Sequence, residues 1–153
     1  MHLFRFDGGR IGITDDGASH DVTDALGIDL AQWPPVQMVA LIADFERRMR
    51  GITRHPRTRP IDMAGVRLEV PIEWPNKLIA FPVNYADHGK EMKSTTRADL
   101  AGFFLKANSS LSGPNDPVVL PELPGREIHH ECELGIVIGK GGKNIARTNA
   151  LEH

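Results

Sequence analysis

The sequence predicts an α+β protein of two parts. Three observations carry that prediction. Hairpin signals crowd the first residues, one stretch of helical periodicity follows a proline pair, and short apolar runs bounded by Gly and Pro resume after Pro75. The 153 residues give room for one domain, or for a small domain and part of another. Hydrophobic residues make up 41% and charged residues 25%, a mixture that supports a packed core rather than disorder.

The strands come first. Leu3-Phe4-Arg5-Phe6 and Arg10-Ile11-Gly12-Ile13-Thr14 flank Asp7-Gly8-Gly9, where glycines permit the positive φ of a hairpin turn. Asp15-Asp16-Gly17 is a second turn, and Ser19 to Val22 follows as a third strand. After Pro34-Pro35, residues Val36 to Met49 form a helix, with Val39, Ile42, Phe45 and Met49 at helical spacing and Gly51 as its C-cap. Arg47 to Arg59 holds six arginines. They offer either a surface for an anionic partner or a solvated helix end running into a polar loop at Pro56 and Pro60, and the second is favoured because no aromatic residue interleaves with them. Val66 to Val70 is a short strand, and Pro71 to Pro75 reads as a linker or domain boundary. Lys77 to Asn84 is a buried strand entering a loop. Asp87 to Met92 forms a helical turn, Ala101 to Leu105 an apolar run, and Asp116 to Pro121 a strand between prolines. His129 to Gly139 has the clearest strand pattern in the chain.

Composition excludes several functions. The net charge of −2 gives no basic field for nucleic acid. The single cysteine, Cys132, rules out an intrachain disulfide or a Cys-rich zinc site. No apolar run approaches a membrane span, and Met1 to Asp7 does not read as a signal peptide, so a cytoplasmic location is expected. Gly135 to Lys140 has the wrong spacing for a phosphate loop, and no nucleophile elbow occurs.

Three groups of residues offer chemistry. On a strand, Glu131 and Glu133 point the same way, while Cys132, Leu134, Ile136 and Ile138 point into a core. Gly135 and Gly139 leave space on the carboxylate face, which His129 shares. That pair either holds a hard divalent cation or forms a solvent-facing polar stripe. His88 and Glu91 are i,i+3 neighbours if their segment is helical. They make a general base for water, or a surface pair. Lys106 emerges from Phe103-Phe104-Leu105 either to stabilise an oxyanion or to snorkel to the surface.

Taken in order, Asn84-Tyr85-Ala86-Asp87-His88 with Glu91-Met92, Phe104-Leu105-Lys106 with Ser110, Gly113-Pro114, Pro117 to Pro121, Glu131-x-Glu133-Leu134 and Val137-Ile138-Gly139-Lys140 resemble the fumarylacetoacetate hydrolase family. The likeness covers about half the chain, from Lys77 onward, and Met1 to Pro75 resembles the small N-terminal domain of longer bacterial members more loosely. The resemblance implies a mixed β-roll, incomplete here, over 76–153, preceded by a small N-terminal domain of strands and helices over 1–72. It implies Mg²⁺, or Mn²⁺ or Ca²⁺, held by Glu131, Glu133 and a further acidic residue. It gives His88 and Glu91 the activation of water, Lys106 the grip on substrate oxygens, and the segment Tyr85 to Asp99 the part of a lid.

The implied reactions are hydrolysis, decarboxylation or isomerisation at C–C bonds of β-diketo or oxo-acids such as acylpyruvates, with a homodimer in the full-length protein. Ala107 departs from the Pro that many members carry after the Lys. The family continues beyond the position of Leu151-Glu152-His153. The chain is therefore expected to be the N-terminal part of an enzyme, inactive or nearly so without a C-terminal half or partner chain.

Overall fold

The computed structural model describes residues 1–54, 59–95 and 98–153. The loop expected around Pro56, and Thr96-Arg97 of the expected lid, lie outside the described residues.

Strands β1 (His2–Phe6), β2 (Arg10–Asp15) and β3 (Ala18–Asp21) form an antiparallel meander, and β4 (Leu68–Glu69) adds to the free side of β1. The register runs from His2 opposite Thr14 to Phe6 opposite Arg10, which leaves Asp7-Gly8-Gly9 as the connection, all at positive φ. Asp16 and Gly17 are also both at positive φ, the two-residue turn that matches strand twist. Ile11 and Ile13 alternate onto the buried face. On the other face Gly12 opposes Phe4, and the Phe4 ring fills the place a Gly12 side chain would need.

Helices α1 (Thr23–Leu26), α2 (Gln37–Ala43) and α3 (Phe45–Arg54) cover the sheet. Val22, Leu26, Met38, Leu41 and Ile52 close the core over Ile11 and Ile13. The single helix expected over Val36 to Met49 is two helices. Asp44 leaves the helical conformation, and its carbonyl accepts the Arg48 N–H to start α3, a position that Asp favours. The break also moves the buried face, so Met38, Leu41 and Ile52 are buried while Phe45 is 41% exposed. Gly51 is not a C-cap. It lies inside α3, where a side chain would press against the Ala25 carbonyl, so its absence lets α3 approach α1. Among the described residues, three arginines of this region are ion-paired: Arg47 with Asp44, Arg50 with Glu46 at 3.9 Å, and Arg59 with Asp24 at 3.6 Å.

One buried cation joins these pieces. Arg5 donates to the Val70 carbonyl at 2.8 Å and faces Glu69 at 3.2 Å and Glu73 at 3.6 Å. Glu69 accepts the N–H groups of Gly8 and Gly9 in the first turn, at 2.8 and 3.0 Å. Glu73 accepts the Met38 N–H in the first turn of α2 at 2.6 Å. Pro71 to Pro75 is therefore not a free linker: Glu73 is buried, and the Trp74 ring lies 6.2 Å from that of Trp33.

Beyond Pro75 the described structure is sparser. Strands β5 (Leu78–Ala80) and β6 (Phe104–Lys106) pair antiparallel, with Leu78 opposite Lys106. Helices α4 (Ala86–Glu91) and α5 (Ala98–Ala101) lie between them in sequence. Arg67 reaches Asp116 at 2.7 Å, and the Asn108 side chain donates to the Pro75 carbonyl at 2.8 Å. The Arg67 guanidinium and the Gly113 N–H hold the Asp116 carboxyl below the usual carboxylate range.

Two expected strands do not form. Asp116 to Pro121 and His129 to Gly139 run without ladder partners, and Val118, Val119, Leu134 and Ile136 are exposed. Cys132 is exposed rather than in a core. A strand is a property of a pair, and among the described residues no strand runs beside either stretch to form a ladder with it. No helix among the described residues is long and apolar enough to cross a membrane.

Two outcomes follow for stability. Arg5→Met leaves two carboxylates facing each other without their cation and is expected to cost about 3 kcal/mol in urea unfolding. Burial pushes the Asp21 carboxyl up, but the Thr23 hydroxyl and N–H and the Arg10 guanidinium outweigh it and lower the value. A depressed folded-state value contributes stability above the ordinary Asp range, and that contribution is lost as pH falls through the depressed value. Asp21→Asn is therefore expected to lower stability at neutral pH and to flatten the acid limb of a Tm-versus-pH profile.

Candidate active site

The first side chains come from α4. Val83, at φ 52°, turns the chain out of β5, a costly conformation for a β-branched residue. Tyr85 sits at the N-cap in extended conformation. Asp87 favours the first turn and pairs with Lys90 at 2.7 Å. Gly89 is buried, and a side chain there would press on Val83. Lys93, at φ 51°, ends the helix, with its N–H on the Lys90 carbonyl and that of Ser94 on the Gly89 carbonyl.

This helix places the His88 imidazole between two carboxylates. Nδ1 lies 3.8 Å from Glu91 Oε2, one turn along the helix, and Nε2 lies 3.3 Å from Glu131 Oε1. A neutral imidazole has one N–H and one lone pair, so one ring nitrogen carries a proton and the other is able to take one. His88 is about one-third exposed, which leaves water access to the ring.

Glu131 lies on an extended, unpaired segment rather than on a strand. That segment is held to α4 at a second point, where the Leu134 N–H donates to the Tyr85 hydroxyl at 2.8 Å. Open space surrounds Gly135, whereas Gly139 has the His153 carbonyl and the Ile42 side chain within 4 Å, so the two glycines do not open one face together. Glu133 makes no contact with His88 or Glu91 among the described residues. His129 turns instead to Glu127 at 3.4 Å. The Lys106 ammonium lies over the Phe104 ring, 5.8 Å from its centroid. The structure thus gathers His88, Glu91 and Glu131, and it does not join Glu133 or Lys106 to them. The Tyr85 contact went unforeseen, although Tyr85 precedes His88 by the same three residues that separate His88 from Glu91.

Among the described residues, no group of three or more His, Cys, Asp or Glu side chains is gathered closely enough to hold a metal ion. Glu131 and Glu133 supply two hard oxygen donors, a fit for part of the shell of Mg²⁺ or Mn²⁺, which accept water at remaining positions.

Residues 77–153, half of the chain, match the profile described as "Fumarylacetoacetate (FAA) hydrolase C-terminal". The chain belongs to the fumarylacetoacetate hydrolase family. Within that family it is 35% identical to a maleylpyruvate hydrolase of Aquipseudomonas alcaligenes, over 100% of this chain and 58% of that protein. It is 42% identical to a mitochondrial oxaloacetate tautomerase of Homo sapiens, over 54% of this chain and 26% of that protein. A crystal structure of maleylpyruvate hydrolase from Sphingobium sp. SYK-6, in complex with manganese(II) and pyruvate, superposes with a TM-score of 0.84 and 49% identity. It covers 97% of this chain and 53% of that one. The chain therefore spans little more than half the length of these hydrolases. The mixed α/β architecture with small sheets is that of the family fold seen in the solved hydrolase.

Proposed function

We propose that this chain carries part of the active site of a metal-dependent enzyme that cleaves a C–C bond in an acylpyruvate-type oxo-acid. The observation that carries the reading is the His88 ring between Glu91 and Glu131, with a helix and a distant segment meeting at one imidazole. Glu131 and Glu133 hold a divalent cation, Mn²⁺ or Mg²⁺. The bound cation supplies Lewis-acid polarisation of the oxygens of a chelating substrate. His88 takes a proton from water at the ring nitrogen left free, and Glu91 orients the ring and balances the charge it gains. Lys106 moves its ammonium from Phe104 to the substrate oxygen that becomes negative as the bond breaks.

Hydrolysis is favoured over tautomerisation by coverage. Likeness to maleylpyruvate hydrolases extends over the first 75 residues, whereas the tautomerase likeness spans about half of the chain. The division into 1–72 and 76–153 is supported by sheet membership, since each sheet draws all its strands from one side of Pro75. The β-roll completes itself when 116–121 and 129–139 gain strand partners.

A second reading has its own support. Val119 is 86% exposed, and Leu134 and Ile136 are each 78% exposed. Apolar segments of this kind are covered in a working protein, so the site functions only with a further layer of polypeptide over it, such as the other half of a roll or a second copy. Light scattering tests this: self-association that Ile136→Lys abolishes supports it, and a monodisperse monomer at high concentration contradicts it.

Calorimetry with Mn²⁺ tests the principal reading. Glu131→Gln and Glu133→Gln are each expected to weaken binding at least about tenfold. In a form active on maleylpyruvate, His88→Ala is expected to lower turnover about 100-fold or more while changing Mn²⁺ affinity far less. Equal Mn²⁺ binding by both carboxylate variants and the wild type would overturn the assignment.

A further inference from the structure

The helix α4 meets the carboxylate segment at two points, and the order of the contacts is informative. Tyr85 reaches Leu134, and three residues later His88 reaches back to Glu131, three residues earlier on the segment. The helix and the segment therefore cross in opposite directions, with one contact at each end of the Glu131–Leu134 stretch. Glu133 lies inside that stretch, next to the tethered amide. The segment has no ladder to fix it, so its position against α4 rests on these two contacts among the described residues. The two are unequal. The His88 contact uses a group that must also handle a proton, whereas the Tyr85 hydroxyl is free for a structural role.

We propose that Tyr85 is a positioning residue of this site: its hydroxyl accepts the Leu134 N–H and thereby sets where Glu131 and Glu133 stand relative to His88. This inference rests on the proposed metal site for its consequence, but the tether itself is read without any metal. Among the described residues the Tyr85 hydroxyl is hydrogen-bonded to the Leu134 N–H and to no ring nitrogen or carboxylate, so it acts through the backbone of Leu134. It is the only tyrosine in the chain, and the hydroxyl alone distinguishes it from the phenylalanines.

Tyr85→Phe keeps the ring and removes the acceptor, and circular dichroism establishes that the variant folds. Two measurements then decide the proposal. Amide hydrogen exchange by NMR, without metal, is expected to show Leu134 exchanging about 3- to 10-fold faster in the variant, the loss of one hydrogen bond, with β1 to β3 unchanged. Mn²⁺ titration is expected to show binding weakened by a similar factor, about 3- to 10-fold. Unchanged exchange at Leu134 would overturn the tether. Faster exchange with unchanged Mn²⁺ affinity would overturn the positioning role. Absence of Mn²⁺ binding by the wild type would instead defeat the metal-site reading, and with it the positioning of metal ligands, while the exchange result still decides the tether. Should the Phe variant misfold, the wild type decides the tether: slowed exchange at the Leu134 amide is expected, and exchange at the rate of a free amide counts against the proposal.

Discussion

A guanidinium taken out of water must be paired, and Arg5 meets that demand with Glu69, the Val70 carbonyl and Glu73, all from the stretch that leads out of the N-terminal half. Glu69 brings β4 beside β1 and also ties down the first hairpin turn. Glu73 comes from the connection toward the second half and caps the backbone of α2. One charge therefore fixes the sheet edge, the turn and the helix that covers the core. It also explains why a proline-rich stretch that reads as a linker is anchored. The apolar cluster around Ile11 and Leu41 supplies cohesion, and the charge network supplies the arrangement.

Legibility in the sequence followed the range of the interactions. The hairpins were readable because Asp7-Gly8-Gly9 and Asp16-Gly17 carry their own turn chemistry. The helix after Pro35 was readable in type, but its break at Asp44 was not, because apolar spacing continued across it. Gly51 looked like a stop signal because close packing against Ala25 leaves no mark in local sequence. The alternation of His129 to Gly139 encodes which side chains share a face, and it is silent about which strand will lie alongside. That stretch has no ladder partner here, so its alternation gave an element that the described structure does not contain.

The candidate site shows the same limit. The i,i+3 relation of His88 and Glu91 is a property of one helix and was visible from spacing. The approach of Glu131 to the far side of the ring depends on where a distant segment lies, which no spacing rule provides. Family likeness named both carboxylates and Lys106. Geometry separates them: Glu131 is in contact with His88, and Lys106 rests on Phe104. Tyr85 was quoted as part of a motif without a role, because a hydroxyl that accepts a backbone N–H 49 residues away has no sequence signature.

The central claim is that Glu131 and Glu133 together hold a divalent cation beside His88. Anomalous diffraction from a crystal soaked in Mn²⁺ tests it most directly. The account predicts one manganese peak within about 2.1–2.3 Å of a carboxylate oxygen of both residues. Manganese bound at other side chains, with Glu131 and Glu133 left unligated, would contradict it.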